Sequence, residues 1–325
     1  MILVTGGTGF VGSHVLERLR EEATPVRCLV RPKKARTLDA ASIGATEVVA
    51  GDLKTGAGLR EALDGVDAVI HLAGVTKALR REDYYEGNVQ ATANLLLALE
   101  GSGARLVHVS SLAAVGPADG RWRPVDETTE PHPLTHYGKS KLEGEQLVRA
   151  SRPDAVIVRP PVVYGPRDTD VFQMLKAVAR GWSLQIGGGE RWFSAIYVAD
   201  LAAGLVELAR AQAGAGRTYY LAHEQPVSWV LLANTAARIM GVKLRTLRIP
   251  PFVALEVGTC AEAWAWLTGR PGIVSREKIA EGLCAAWTCD TARARAELGF
   301  TAATDLEQGL SKTLAWYKEA GWLSY

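Results

Sequence analysis

Three side chains in the first half of the chain are of types that could move a proton: Ser111, Tyr137 and Lys141. Tyr137 and Lys141 lie four apart in Tyr137-Gly138-Lys139-Ser140-Lys141, so on a helix they share one face. A free tyrosine has a pKa of about 10, too high for useful proton exchange near neutrality. A neighbouring ammonium favours the phenolate and lowers that value. Tyr137 could then give a proton to a carbonyl oxygen or accept one from an alcohol. The spacing is common on helix surfaces. It gains weight from the upstream run Val109-Ser110-Ser111, which reads as a strand end placing a hydroxyl at a sheet edge. There Ser111 would hold the reacting oxygen against Tyr137. Taken alone, Ser110 and Ser111 read as turn residues that satisfy backbone groups.

The elements that must position this set begin at the first residue. Met1 to Val4 are apolar and suit a buried strand. Gly6, Gly9 and Gly12 follow, and from Phe10 the apolar residues Val11, Val15, Leu16 and Leu19 recur as in a helix. Strand, glycine turn and helix form the context of a dinucleotide-binding loop. Gly6 permits the turn, Gly9 lets backbone approach a pyrophosphate, and Gly12 lets helix and strand pack closely. The pyrophosphate would sit over Phe10 and Val11 at the helix N-terminus. A nicotinamide so placed would exchange hydride with the carbonyl or alcohol that Tyr137 serves, and Lys141 would bond its ribose. The zone after the second strand reads Arg31-Pro32-Lys33-Lys34-Ala35-Arg36, without an acid. Arg31 and Lys34 with their neighbours suit a 2′-phosphate, so NADP(H) is preferred and NAD(H) is possible. Otherwise this is an ordinary solvated basic loop.

The chain has 325 residues, room for one large or two modest domains. Its 48% apolar and 22% charged residues suit a globular fold with an ample core. Lys+Arg 37 against Asp+Glu 35 leaves +2, which points to neither nucleic acid nor an anionic membrane. Cys28, Cys260, Cys284 and Cys289 lack disulfide-framework or CxxC spacing, as expected in a reducing cytoplasm. The six histidines make no metal-binding pair. With a core strand read from the first residue no signal peptide is expected, and 251–267, with Glu256 and Glu262, is too short and charged to span a bilayer. Strands are expected at 2–5, 26–31, 46–50, 68–72, 106–110 and 155–159, and helices at 10–22, 59–63, 83–100 and 135–151. This alternation predicts an α/β fold, a doubly wound parallel sheet of Rossmann type. Residues 1–160 would form it, with 196–222 returning to it, and 161–325 would mainly form a smaller, helix-rich substrate cap. Further helices are expected at 197–211, 227–239, 290–298 (Asp290 as N-cap) and 306–319. The long polar loop 116–133 is of a kind that is functional or mobile.

These motifs together resemble the extended short-chain dehydrogenases/reductases, the NAD-dependent epimerase/dehydratase family, over nearly the whole chain. The stretch TGGTGFVG at 5–12 matches the glycine loop, and Gly51-Asp52-Leu53 the segment whose Asp contacts adenine. His71-Leu72-Ala73-Gly74 resembles the strand end lining the cofactor, and Asn88-Val89 with Asn94-Leu95-Leu96 a characteristic helix. VSSLAAVG at 109–116 holds the catalytic hydroxyl, here Ser111, and YGKSK at 137–141 the Tyr–Lys pair. RPPVVYGP at 159–166 matches the segment closing on the nicotinamide, with Pro160 to Val163 nearest it. Tyr197-Val198-Ala199-Asp200 matches a further family segment. By residue type alone, Asn88 reads as a tie between helix and sheet, Asp200 as a structural carboxylate and His71 as a packed residue. The resemblance implies a homodimer packed through the helices at 83–100 and 135–151.

Departures from the family bear on the substrate. The position equivalent to the pyrophosphate-binding Arg of nucleotide-sugar members is Phe193, with Arg191 two residues off, and Pro161 and Val162 stand where an Asn is common. Desolvated sugar nucleotides need polar partners there. The apolar run at 250–267 reads as cap core, subunit contact or a lid over a hydrophobic ligand. With Arg31-Pro32 and the 159–166 segment it is similar to the branch of dihydroflavonol reductases and 3β-hydroxysteroid dehydrogenases. The expectation is an NADP(H)-dependent oxidoreductase acting on the carbonyl or secondary alcohol of a fairly apolar small molecule, with no metal. Alternatives are a nucleotide-sugar epimerase or dehydratase, and a non-catalytic nucleotide sensor.

Overall fold

The computed structural model describes residues 1–35, 38–211, 213–269, 272 and 274–325. Strand β1 (Ile2–Thr5) is buried along its whole length because helices cover both faces of its sheet. Ile2 and Val4 face one core, with Leu16, Leu201 and Leu205; Leu3 faces the other, with Leu59, Leu95 and Val148. The chain continues through β2 (Val26–Val30), β3 (Glu47–Ala50), β4 (Ala68–His71), β5 (Arg105–Val109) and β6 (Val156–Val158). Next come β7 (Val162–Tyr164), β8 (Trp182–Ile186), β9 (Trp192–Phe193), β10 (Ala195–Tyr197), β11 (Thr218–Tyr219), β12 (Val227–Ser228), β13 (Arg245–Ile249) and β14 (Ala286–Trp287). A seven-stranded sheet runs β11-β6-β5-β4-β1-β2-β3, parallel at every pairing. Strand order reverses at β1, and the C-terminal ends of β1 and β4 flank the crevice where such sheets bind ligands.

The helices are α1 (Phe10–Glu21), α2 (Pro32–Ala35), α3 (Leu59–Leu63), α4 (Arg81–Tyr85), α5 (Ala91–Ala98), α6 (His136–Ser151) and α7 (Asp170–Ala179). After them come α8 (Val198–Arg210), α9 (Trp229–Met240), α10 (Pro251–Thr268), α11 (Arg276–Leu283), α12 (Ala292–Leu298) and α13 (Leu306–Glu319). A separate core of Tyr164, Leu175, Phe193, Leu232, Leu314 and Tyr317 joins α7, α9 and α13 to β7 and β9.

Several elements depart from the pattern read along the chain. The helix expected at 83–100 is α4, a π-helical turn at Glu86–Gln90, and α5. The wide turn coincides with tight packing: a Cβ on Gly87 would lie 2.2 Å from Val75 Cγ2. The helix expected from 227 starts at Trp229, because Val227 and Ser228 pair with β9 and Ser228 caps α9. The helix expected from 290 starts at Ala292, with Thr291 at the N-cap; Asp290 accepts the Ala292 N–H at 2.7 Å. The loop 116–133 is tied down by bridges Ala118↔Ala286 and Val125↔Cys289. The run at 250–267 is not cap core: α10 buries only Ala254, Gly258 and Ala265.

Candidate functional site

Gly6 has φ +74°, which L side chains rarely adopt, and a Cβ there would lie 2.7 Å from Ala73 N. A Cβ on Gly9 would meet Gly6 O at 3.2 Å, and one on Gly12 would meet it at 2.2 Å. The turn is therefore closed to any other residue at Gly12 and brings β1, α1 and the Leu72-Ala73-Gly74 segment together. Ala73 N–H donates to Thr5 Oγ1 at 3.3 Å, and Leu72 N–H to Thr5 O at 3.1 Å. No side chain caps α1 and its first turn carries no acid, so the N–H groups beside Phe10 and Val11 are available to an anion. These features fit a dinucleotide pyrophosphate.

Arg31 and Lys34 are exposed at the end of β2, where the Arg31 carbonyl accepts from Lys34 and Ala35. Arg36, which the basic-loop expectation also used, lies outside the described residues. Asp52 follows β3 and accepts the Lys54 N–H at 2.9 Å, and Leu53 packs on the core below. Pro160 O accepts the Leu112 N–H at 2.9 Å, which holds the end of β6 beside Ser111. Val163 packs against the core under α1.

Helix α6 starts where Thr135 Oγ1 accepts the Gly138 N–H, which sets Tyr137 in the first turn and Lys141 one turn later. Ser111 leaves β5 in extended conformation and caps the short turn after it, accepting from Ala113. Ser111 lies close enough to Tyr137 for its hydroxyl to lower the Tyr137 pKa, and Lys141 follows Tyr137 by one turn of α6. The electrostatics differ from expectation. Burial raises the Tyr137 pKa on balance, while the neighbouring Ser111 hydroxyl and the Lys278 charge pull it down. Lys141 is buried, donates to Val109 O at 2.8 Å, and its pKa is lowered to about 8 by desolvation.

Some neighbours were invisible along the chain. Helix α11 lies against the start of α6: Glu277 accepts the His136 N–H at 3.3 Å, and Glu281 accepts from Thr135 Oγ1 at 3.2 Å. Lys278 Nζ is 5.9 Å from the Tyr137 ring centre. No local signal links residues 141 positions apart. Asn88 is a tie, as its type suggested: it accepts from Val75 N–H at 2.7 Å and donates to Ser140 Oγ at 2.9 Å. Asp200 accepts from Thr304 through N–H and Oγ1, a structural role. Phe193 packs at a tilt against Trp229 in the cap core, ring centres 4.2 Å apart.

His71 and His108 sit under the site, fully buried with ring centres 5.3 Å apart. His71 meets Thr5 Oγ1 at 2.7 Å and Thr92 Oγ1 at 3.1 Å, while both ring nitrogens of His108 lack a partner. Desolvation and the nearby Lys141 lower the His71 pKa to about 3 and hold His108 well below 6.5. Below about pH 6.5 the unfolded chain binds these protons and the folded one does not. Stability is therefore lost as pH falls, by about 1.4 kcal/mol per pH unit per histidine. Denaturant midpoints measured between pH 7 and 5 are expected to fall, and His108→Leu to reduce the slope by about one proton; an unchanged slope would contradict this.

A parallel sheet with a glycine cradle at its switch point and a Ser–Tyr–Lys set across the crevice defines a nicotinamide-dinucleotide enzyme. Residues 2–222 match the model of the NAD dependent epimerase/dehydratase family. The chain belongs to that family, of the extended short-chain dehydrogenase/reductase type. It is 33% identical to a ceramide reductase of Caulobacter vibrioides, over 99% of this chain and 96% of that one. It is 27% identical to the N-acetyl-alpha-D-glucosaminyl-diphospho-ditrans,octacis-undecaprenol 4-epimerase of Escherichia coli O157:H7, covering 96% and 94%. The crystal structure of gox2253 superposes with TM-score 0.81 at 29% identity, covering 100% and 99%.

Proposed function

We propose that this enzyme is an NADP(H)-dependent reductase of a ketone or aldehyde on a fairly apolar small molecule, or the dehydrogenase of the matching alcohol. The observation that carries the reading is the placement of Ser111 at the end of β5 close enough to Tyr137 to lower its pKa, with Lys141 buried one turn further along α6. The cradle of Gly6, Gly9, Phe10, Val11 and Gly12, with Asp52, Leu53, Leu72, Ala73, Gly74, Pro160 and Val163, would hold the cofactor. Arg31 and Lys34 would meet a 2′-phosphate. When bound, the cofactor supplies or takes up hydride. Ser111 orients the substrate oxygen, and Tyr137 delivers a proton to it in reduction or removes one in oxidation. Lys141 would bond the nicotinamide ribose, while the cation whose charge favours the Tyr137 phenolate is Lys278 of α11.

Residues 161–325 would mainly form the substrate cap, with the segment 196–222 returning to the main sheet through α8 and β11. A buried Phe193 and the 33% likeness to a ceramide reductase support an apolar substrate. We also propose a cytoplasmic homodimer, packed through the region of α4 to α6, where Leu97 is exposed. A second reading, epimerisation or dehydration of a nucleotide-linked sugar, is favoured by the likeness to a sugar 4-epimerase, whose own sugar is carried on undecaprenol diphosphate. The experiment is titration with NADPH and NADH, then oxidation of the bound reduced cofactor over a panel of apolar ketones and aldehydes. Tight NADPH binding with turnover is expected, and Arg31→Ala is expected to weaken NADPH more than NADH. Cofactor that stays bound and never turns over, with binding of a UDP- or dTDP-sugar, selects the second reading.

A further inference from the structure

We propose that α10 and the β8–β13 ribbon seat this protein on the surface of an anionic lipid bilayer. A surface helix ordinarily buries one apolar stripe and turns a polar face outward. Helix α10 does the reverse. Its buried stripe is the small residues Ala254, Gly258 and Ala265, and a Cβ on Gly258 would lie 2.8 Å from Ile279 Cδ1 of α11. Its large side chains point away: Phe252 is 70% exposed, Trp264 67%, Trp266 65% and Leu267 80%. The ribbon leading into it extends the surface. Trp182 pairs with Arg245 and Leu184 with Leu247, and Trp182, Leu184 and Leu247 are all exposed.

Charge selects the occupant. Arg180, Lys243, Arg245 and Arg248 are exposed around the ribbon. The acids of α10 are Glu256 and Glu262, and Glu262 already accepts the Arg276 N–H at 2.8 Å. A second copy of the chain would bring four more cations to this rim, whereas anionic headgroups match it. Tryptophan with apolar side chains below a cationic rim is the composition that settles at a membrane–water interface. No helix among the described residues is long and apolar enough to cross a membrane, so the contact proposed is with the surface. Resting on the reductase reading, one consequence follows. Helix α11 packs on α10 at Gly258 and reaches Tyr137 through Lys278, so an apolar substrate drawn from the bilayer would enter beside that helix.

The test uses the full chain without substrate or cofactor, in co-sedimentation with vesicles of phosphatidylcholine alone or with added phosphatidylglycerol. Binding to the anionic vesicles is expected, weakened by salt. Trp264→Ser with Trp266→Ser is expected to lower partitioning by at least about tenfold. Arg245→Gln with Arg248→Gln is expected to remove the preference for phosphatidylglycerol, and Leu231→Ser on α9 to change nothing. Far-ultraviolet circular dichroism of each variant reports folding. Failure to bind either vesicle, or binding undiminished by the tryptophan changes, overturns the proposal. So does sedimentation velocity showing a dimer that these changes dissociate without any vesicle binding. None of these outcomes depends on turnover, so failure of the reductase reading is scored separately.

Discussion

Tyr137→Phe is expected to lower turnover by roughly 10²–10⁴-fold, the usual worth of a positioned acid/base, with NADPH affinity nearly kept. The change removes one oxygen from a ring that is held by its surroundings. The Tyr84 ring lies 6.4 Å away, Gly138 is wedged against Ala113 O, and the helix start is capped by Thr135. The fold should therefore tolerate phenylalanine, and the loss should fall on proton transfer. Ser111→Ala is the companion variant, because Ser111 both caps the turn at Ala113 and lowers the Tyr137 pKa. Steady-state kinetics with fluorescence titration of NADPH separates the two effects. If Tyr137→Phe leaves kcat within a few-fold of the parent, the proposed acid/base is wrong. If it leaves every function untouched, a nucleotide-sensing role replaces the enzymatic one.

Arg159→Met is expected to destabilise the protein by about 3–5 kcal/mol, the cost of leaving a buried charge without its partner. Glu145 is fully buried on α6, and Arg159 is buried at the end of β6. The guanidinium donates to both carboxylate oxygens, at 2.9 and 2.7 Å, and to Tyr220 Oη at 3.2 Å. Burial opposes the Arg159 charge, but the bonds to Glu145 outweigh it and hold its pKa well above the ordinary arginine value. Arg149, at 3.7 Å from Glu145, stands half-exposed and cannot replace the lost pair. Since Glu145 also supports the charge on Lys141, Glu145→Gln should lower the Lys141 pKa further below its ordinary value. Urea unfolding measures the cost, and the double variant Arg159→Met/Glu145→Leu should regain most of it. A single-variant loss under about 1 kcal/mol, the range of an exposed pair, would show that the pair is not the clamp described here.

The pair also shows where reading the chain stops. Arg159 was legible as part of the 159–166 motif, but Glu145 was one of several acids on an amphipathic helix. Their meeting is set by how α6 lies on the sheet. The π-helical turn at Glu86–Gln90 is similar: the apolar period of 83–100 is that of one helix, and the distortion comes from Gly87 and Asn88 packing on Val75. In the C-terminal half, strands of two to five residues carry too few side chains to show a period of two. Helix α11 has the single buried apolar residue Ile279, so nothing local placed it over Tyr137.

By itself the sequence determined what local chemistry dictates: the strand, glycine turn and helix at the N-terminus, the alternation that makes a parallel sheet, and the Tyr–Lys spacing on α6. Each depends on residues within one or two turns of one another, where steric rules and periodicity act directly. The family follows from those same motifs. Only the tertiary structure decided the balance of charge at the site. Burial raises Tyr137, desolvation brings Lys141 to about 8, and Lys278 arrives from a distant helix. It also decided that the apolar residues of α10 face outward and those of β9 inward. Burial is a property of the packed whole, since a tryptophan or phenylalanine has the same pattern along the chain whichever way its helix or strand is turned.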